Sequence, residues 1–246
     1  MRLKRSWQRA TTGVLGALVL VVGFTLPVEA RTRRAPHKAR FARAVPAKKS
    51  SKPITGPLPR KPVLDLALRA YACGEALGYF RQPLLTVIDY SLPSVEPRLW
   101  VLDVRSKRVL SQELVAHGRN SGDNFAVAFS NEPGSLQSSL GLFRTEDTYE
   151  GQHGYSLRLS GLEAGINDLA EERKIVMHGA PYVNLAVAAK HGRLGRSWGC
   201  PALPLGAHRR VIDRIKEGSA VFAYYPDRRW LQNSSFFHCD AQLAQR

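Results

Sequence analysis

Hydrophobic residues change their spacing along the chain, and these changes predict where helices and strands lie. Residues 62–78 carry apolar side chains three or four positions apart, with Pro62 at the start and Gly78 at the end. This spacing predicts an amphipathic helix, because proline suits the first turn of a helix and glycine suits its end. A similar pattern over residues 205–216 predicts a second helix.

The remaining apolar residues come mostly in short runs bounded by polar turns, which is typical of strands. A polar turn at residues 105–107 separates two of these runs and predicts a hairpin. Many short strands, few helices and no regular alternation of the two predict a mainly β (α+β) domain with a few flanking helices. The predicted strands are residues 85–90, 99–104, 109–116, 125–129, 140–145, 157–159, 175–177 and 220–225.

The first 30 residues have the organisation of a secretory signal peptide. Basic residues precede an apolar run at residues 11–26, and the small residues Val28 and Ala30 are placed for cleavage after Ala30. The run is shorter than the roughly 20 residues that a membrane-spanning helix needs, so cleavage is favoured over retention as an anchor. We therefore expect an exported protein of the periplasm or cell envelope, with N-terminal membrane anchoring as the alternative.

The net charge of +16 is concentrated before the predicted domain. Residues 1–61 hold 15 of the 36 Lys and Arg residues and a single acidic residue, Glu29. Residues 31–61 are basic, rich in Ala and Pro and poor in large apolar side chains, which predicts a disordered linker. This linker either contacts an anionic membrane or wall polymer or is a solvated spacer. Residues 62–246 are nearly neutral, which argues against a nucleic-acid partner.

The chain has three cysteines, Cys73, Cys200 and Cys239. An exported protein meets an oxidising compartment, where an odd number of cysteines indicates one pair and one remaining thiol. Cys73 lies near the start of the predicted domain and Cys239 near its end. A Cys73–Cys239 disulfide that leaves Cys200 free is the expected pairing, and three unpaired thiols are the alternative.

Cys200 lies in a loop, residues 192–204, that is rich in glycine and proline. Glycine permits tight turns and leaves neighbouring amides unshielded, so the amides of Gly199 and Cys200 are candidate oxyanion donors. Arg193 and Arg196 on the same loop are expected to favour a thiolate. Composition alone leaves an inert, buried thiol as an equally good interpretation.

A cysteine thiol is only slightly ionised at neutral pH, so a nucleophilic cysteine gains from an imidazole partner. His178 is the strongest candidate, because it ends a predicted strand and precedes Gly179. A structural histidine is the alternative. A zinc site formed by His178, His191, Cys200 and His208 is disfavoured, because these residues lack the short paired spacings of zinc ligands. We expect no metal and no organic cofactor.

The order of short motifs along the chain resembles that of the L,D-transpeptidases, the YkuD-like cell-wall enzymes, and especially their murein L,D-transpeptidase catalytic domain branch. The resemblance rests on the pair His178-Gly179, followed by Ser197, Gly199 and Cys200 in the order Ser-x-Gly-Cys. It extends over roughly residues 64–226. The matching stretches are residues 99–103, 116–118, 129–131, 134–141, 153–154, 161–163, 177–180 and 195–201.

This resemblance implies a β-sandwich catalytic domain over residues 62–246 that acts on peptidoglycan stem peptides. Cys200 would attack the carbonyl of the L-configured centre of a diamino acid and expel the terminal D-alanine. His178 would be the general base, oriented by the carbonyl of Gly179, and Ser197 would brace the loop or a substrate group. The resemblance also implies acylation of Cys200 by carbapenems.

The acyl group on Cys200 would then pass to an amine of a neighbouring stem, which is L,D-transpeptidase chemistry. Transfer to water instead would give an L,D-carboxypeptidase or another thiol hydrolase, and the sequence does not separate the two. A non-catalytic wall-binding module is a further alternative, against which the presence of both Cys200 and His178 counts.

The commoner motif of the superfamily has a second histidine where this chain has Trp198, and Asn or Arg where it has Ala202. Tryptophan cannot accept a proton, so His178 remains the one matched base. Turn formation for His117 and His153, and backbone hydrogen bonding for Ser139, are the alternatives to a substrate contact. The residues assigned to substrate binding are His117, Ser139, His153, Arg196 and Trp198.

Overall fold

The structure, a computed structural model, describes residues 58–239. The predicted signal peptide and nearly all of the predicted linker lie outside these residues. Within the described range, no helix is long and apolar enough to cross a membrane. The helices there are α1 (Lys61–Ala76), α2 (Leu185–His191), α3 (His208–Ile215), α4 (Arg228–Asn233) and a 3₁₀ turn at Ser235–Phe237.

Eight strands in the described residues hydrogen-bond into one sheet, in the order β3-β2-β1-β8-β4-β5-β6-β7. The pairs β1–β8 and β6–β7 are parallel, and the other pairs are antiparallel. The predicted mainly β class with a few flanking helices is confirmed. The strands are β1 (Leu84–Asp89), β2 (Leu99–Asp103), β3 (Arg108–Glu113), β4 (Gly141–Gly151), β5 (Gly154–Gly161), β6 (Val176–Ala180), β7 (Ala202–Pro204) and β8 (Ala220–Tyr224).

Helix α1 confirms the first predicted helix and begins one residue earlier, so that Pro62 lies within its first turn. Its apolar face packs on β1 and β8. The residues just before it also belong to the fold: Pro59 is buried, and Arg60 forms an ion pair of 2.8 Å with the fully buried Asp89. The predicted linker therefore extends a few residues too far into the domain.

The expected disulfide between Cys73 and Cys239 is confirmed, with Cα atoms 5.5 Å apart. It joins the last turns of α1 to the chain that follows the 3₁₀ turn, and Phe236 and Phe237 of that turn are buried. The bond therefore ties the two ends of the described domain together and leaves Cys200 as the free cysteine.

The strand predicted at residues 125–129 is wrong. The amides of Val127 and Ala128 donate to the carbonyl of Ser121 in a local turn. Phe125 and Val127 are exposed, and only Ala126 and Phe129 of this apolar run contact the core. By contrast β6 is longer than predicted and runs through His178 to Ala180, and the short elements α2, α4 and β7 were not predicted.

Strands β4 and β5 form a hairpin longer than the sequence indicated. Gly151 pairs with Gly154, which leaves a two-residue loop of Gln152 and His153 at the tip. Gly154 has a φ of +69°, a conformation that glycine adopts without strain. This tip reaches beside β6, and it therefore places His153 next to His178.

Candidate active site

One cavity of about 440 Å³ gathers most of the residues that the sequence singled out. Strand β6, the hairpin tip and the Cys200 loop form its walls. Seven of the ten predicted site residues line it, and Gly199, His117 and Ser139 are not among the lining residues. The lining residues are Gln152, His153, His178, Gly179, Ala180, Pro181, Tyr182, Arg196, Ser197, Trp198, Cys200 and Leu205.

His178 lies in the middle of β6, paired with Ser156 on one side and with Ala202 on the other. Its Nδ1 lies 3.0 Å from the carbonyl oxygen of Gly179. A carbonyl only accepts hydrogen bonds, so Nδ1 carries the proton and Nε2 is left with a lone pair. Burial lowers the pKa of His178 below its usual value, only partly offset by the bond to Gly179, so the ring is neutral near pH 7. This is the protonation state that a general base requires.

Gly179 must be small for this arrangement, because a neighbouring ring lies against it. A Cβ atom at Gly179 would come within 2.6 Å of the His208 ring, which is closer than real contacts allow. The His208 ring is itself held by Leu205, whose carbonyl lies 2.9 Å from Nδ1. Helix α3 thus supports the strand segment that carries His178.

The loop that carries Cys200 is braced by a serine within it. The Ser197 hydroxyl donates to the carbonyl of Cys200 at 2.6 Å and accepts from the amide of Gly199 at 3.1 Å. The amide of Ser197 in turn donates to the carbonyl of His117. Of the two roles expected for Ser197, these contacts match the bracing of the loop.

The Cys200 thiol is almost fully buried and hydrogen-bonds to the backbone just before β6 and at its start. Its Sγ donates to the carbonyl of Lys174 at 3.7 Å and accepts from the amide of Val176 at 3.5 Å. Among residues 58–239, these two groups, and not His178, are its hydrogen-bond partners. Burial raises the pKa of the thiol, and the Val176 amide and the charge of Arg173 partly oppose that rise.

The geometry therefore places a free thiol and a buried neutral imidazole on one cavity, in a domain built around a single sheet. The profile of a family described as the L,D-transpeptidase catalytic domain matches residues 59–224 of the sequence. The chain belongs to this family. None of the curated proteins matches the sequence.

Solved structures that a structural comparison matches to this chain include L,D-transpeptidases. The matched part spans less than two thirds of the first two proteins named here. One is the Mycobacterium smegmatis L,D-transpeptidase, with 13% identity and a TM-score of 0.36 over 58% of this chain and 59% of that chain. The second is Mycobacterium tuberculosis L,D-transpeptidase 1, with 14% identity and a TM-score of 0.33 over 57% of this chain and 60% of that chain. The third is the Stackebrandtia nassauensis L,D-transpeptidase, with 13% identity and a TM-score of 0.36 over 67% of each chain.

Two residues assigned to substrate binding lie elsewhere in this L,D-transpeptidase domain. His117 is fully buried, with Nδ1 2.7 Å from Arg98 Nη2 and Nε2 3.3 Å from the carbonyl of Gly122. Ser139 is buried and donates to the carbonyl of Ser130. The side chains of both residues thus hydrogen-bond within the fold, and the expected contact with substrate has no support in their positions.

The amide of Gly199 also differs from expectation. It donates to Ser197 Oγ and is therefore occupied, so it is not free as an oxyanion donor in this structure. The Cys200 amide interacts with its own sulfur and favours the thiolate. Because the Gly199 amide is occupied, the Cys200 amide remains the candidate oxyanion donor of the two.

The two arginines of the loop do not act on the thiol as expected. Arg196 pairs with Asp123 at 2.9 Å, and Arg193 approaches the same carboxylate at 3.6 Å. The cation whose charge favours the thiolate is Arg173, which the sequence did not single out. Arg173 carries no local motif, and only the fold brings it to the loop.

Two aromatic side chains lie at the mouth of the cavity. The ring of His153 stacks on that of His178, with centroids 4.6 Å apart. Trp198 is 70% exposed and lines the same opening, so it is free to contact a bound ligand. The described residues contain no group of three or more His, Cys, Asp and Glu side chains that could hold a metal ion.

Proposed function

We propose that this family member is a peptidoglycan L,D-transpeptidase that uses Cys200 as its nucleophile and His178 as its general base. One observation carries the proposal: the free cysteine of the described domain shares a cavity with a histidine that is held neutral with its Nε2 lone pair free. The other two cysteines are paired, so Cys200 is the thiol available for acyl transfer.

The first half of the reaction forms an acyl-enzyme. His178 Nε2 takes the proton of the Cys200 thiol as Sγ forms a bond to the carbonyl carbon at the L-centre of the stem diamino acid. The Cys200 amide donates to the oxygen that becomes negative. The carbon–nitrogen bond to D-alanine then breaks, and His178 returns the proton to the departing amine. A thioester on Cys200 and free D-alanine result.

The thiol must turn before this step, because its proton points to Lys174 in the resting structure. Rotation about the Cα–Cβ bond of Cys200 moves Sγ without moving the braced loop. The second half mirrors the first: an amine of a neighbouring stem loses a proton to His178 and attacks the thioester, which restores the thiol and forms the cross-link.

We further propose that the protein acts outside the cytoplasm, in the periplasm or cell envelope. The Cys73–Cys239 disulfide supports this, because structural disulfides form and persist in oxidising compartments. The apolar segment at residues 11–26 and the acidic-poor linker that follows support export in the same way.

The test is to incubate the purified protein with tetrapeptide-stem muropeptides and to follow the products by mass spectrometry. We expect release of D-alanine, a thioester on Cys200 and cross-linked dimers. Cys200→Ser and His178→Gln should lose at least about a hundredfold in rate. His191→Ala is the matched control, because His191 is exposed at the end of α2, outside the cavity lining, and should retain the wild-type rate.

Three results would count against the proposal. A Cys200→Ser protein that releases D-alanine at close to the wild-type rate would exclude the thiol mechanism. Tripeptide products without any cross-linked dimer would make the protein an L,D-carboxypeptidase. Binding of muropeptides with no turnover at all, and no carbapenem adduct on Cys200, would make it a wall-binding module.

A further inference from the structure

Arg173 is a half-buried cation that lies just before β6 and has no acidic side chain within ion-pair distance among the described residues. Its guanidinium donates four hydrogen bonds instead, all to one stretch of chain, residues 130–139, which we call the floor segment. The acceptors are Ser130 O (2.5 Å), Ser139 Oγ (2.5 Å), Ser135 Oγ (3.1 Å) and Gln137 O (2.6 Å).

The floor segment lies directly beneath the Cys200 loop. Ser138 Oγ donates to the carbonyl of Gly199 at 3.0 Å. A Cβ atom at Gly199, where φ is +123°, would fall 2.8 Å from the carbonyl oxygen of Gln137 and 3.5 Å from Arg173 Nη2. Only glycine lets the loop settle this closely, so the guanidinium reaches the underside of the residue that precedes Cys200.

The residues after Arg173 contact the thiol itself. The carbonyl of Lys174 accepts from Sγ and the amide of Val176 donates to it. One short stretch, residues 173–176, therefore holds the floor segment with its guanidinium and the nucleophile with its backbone. A shift of Arg173 would be transmitted to Cys200 along both routes.

Arg173 differs from the other ionisable groups near Cys200, because those groups are either paired or neutral. Arg193 and Arg196 are paired with Asp123. Burial raises the pKa values of Tyr90 and Tyr182, the other ionisable groups whose charge would act on the thiol, to about 12. Both phenols are therefore neutral at working pH.

The other titratable groups nearby, His178 and Glu132, add no second positive charge at the Cys200 thiol near pH 7. His178 is neutral near pH 7, because burial lowers its pKa. Glu132 on the floor segment raises the pKa of Arg173 and so favours its charged form. Arg173 is thus the permanent cation that acts on the thiol among the described residues.

We propose that Arg173 is a positioning residue for Cys200, which holds the floor of the nucleophile loop and stabilises the thiolate through its charge. Its importance for turnover rests on the proposed function, but its effect on the thiol does not. A half-buried guanidinium is screened less by solvent than a surface charge, so its influence persists at physiological ionic strength. Because Arg193 and Arg196 of the loop are paired with Asp123, Arg173 supplies the positive charge at the thiol that these two loop arginines do not.

The test measures the rate at which iodoacetamide alkylates the full chain, as a function of pH, without reductant. Cys73 and Cys239 are paired, so alkylation reports on Cys200. Arg173→Gln removes the charge and should slow alkylation at neutral pH about tenfold, with the midpoint of the profile moving to higher pH. Arg173→Lys keeps the charge with fewer hydrogen bonds and should restore most of the rate.

Ser135→Asp gives a second route to the same result. This substitution places a carboxylate beside the Arg173 guanidinium at a partly exposed position. The carboxylate neutralises the charge of Arg173 without removing the side chain, so alkylation of Cys200 should slow severalfold. Arg193→Gln is the matched control, because Arg193 is a loop cation that is already paired with Asp123. Cys200 of this variant should be alkylated at the wild-type rate.

Folding of each variant is checked by its thermal midpoint. Wild-type reactivity in folded Arg173→Gln or in Ser135→Asp would overturn the proposal, and so would Arg173→Lys reacting as slowly as Arg173→Gln. If Arg173→Gln does not fold, Ser135→Asp decides. Alkylation needs no substrate, so a charge-dependent thiol in a protein that releases no D-alanine would refute the proposed function and leave this inference standing.

Discussion

The imidazole of His153 stacks on that of His178, with ring centroids 4.6 Å apart and an angle of 24° between the planes. His153 is exposed at the tip of the β4–β5 hairpin, whereas His178 is buried beneath it. The charge of His153 beside His178 lowers the pKa of His178 further below the value that burial sets. The hairpin tip therefore tunes the residue proposed as the base.

Substitution of His153 should move the acid limb of the pH–rate profile. The limb reports protonation of His178 in the free enzyme, so a higher pKa shifts it to higher pH. His153→Phe keeps the stacked ring and removes the charge, so it should shift the limb slightly. His153→Ala also exposes His178 to water and should shift it more. The measurement is kcat/KM for D-alanine release across pH, and identical limbs in all three proteins would contradict this coupling.

Stability at acid pH should depend on His117. Burial, together with the charge of Arg98, lowers the pKa of His117 from 6.5 to about 4. The unfolded chain then binds a proton between pH 6.5 and about 4 that the folded chain does not, so the free energy of unfolding falls as the pH drops through this window. The full effect is on the order of 3 kcal/mol.

Urea denaturation at neutral pH and near pH 4 checks this for His117→Gln against the wild type. The variant should be less stable at neutral pH, because Arg98 loses a partner, but it should lose less stability on acidification. A variant with the same pH dependence as the wild type would show that His117 does not contribute to it.

The sequence was informative where chemistry is encoded over a few neighbouring residues. The Ser-x-Gly-Cys order and the His-Gly pair identified the loop and the strand, and the positions of three cysteines gave the disulfide. Periodicity predicted α1, and short apolar runs bounded by polar turns predicted most strands, because β1, β2, β6 and β8 are buried almost throughout. Strand β7 is only three residues long, too short for any period to be read.

What the sequence missed depends on contacts between distant segments. Arg173 meets partners 34 to 43 positions earlier, and nothing in its immediate surroundings marks it as different from a surface arginine. His117 precedes a glycine like His153 does, yet Arg98, 19 positions earlier, makes it a buried structural residue. The register and order of strands decide such pairings, and local patterns do not report them.

Removal of the disulfide should lower stability without touching the cavity. Cys73 and Cys239 are separated by 166 positions, so the bond restricts a long stretch of the unfolded chain. The double variant Cys73→Ala, Cys239→Ala should lose about 2–4 kcal/mol of unfolding free energy in urea. Reductant should lower the urea denaturation midpoint of the wild type and leave that of the double variant unchanged. A wild-type midpoint that does not change with reductant would show that the disulfide does not stabilise the fold.

Trp198 should contribute to substrate binding and little to folding. Its side chain is 70% exposed at the mouth of the cavity, so its removal exposes no core and should change the unfolding free energy by less than about 0.5 kcal/mol. Trp198→Ala should raise KM for tetrapeptide muropeptides about tenfold, which corresponds to roughly 1.4 kcal/mol, with kcat nearly unchanged. Trp198→Phe keeps a flat apolar surface and should recover much of the loss. An unchanged KM in Trp198→Ala would show that the exposed ring lies outside the bound stem peptide, whereas a fall in kcat at constant KM would place its action on the Cys200 loop.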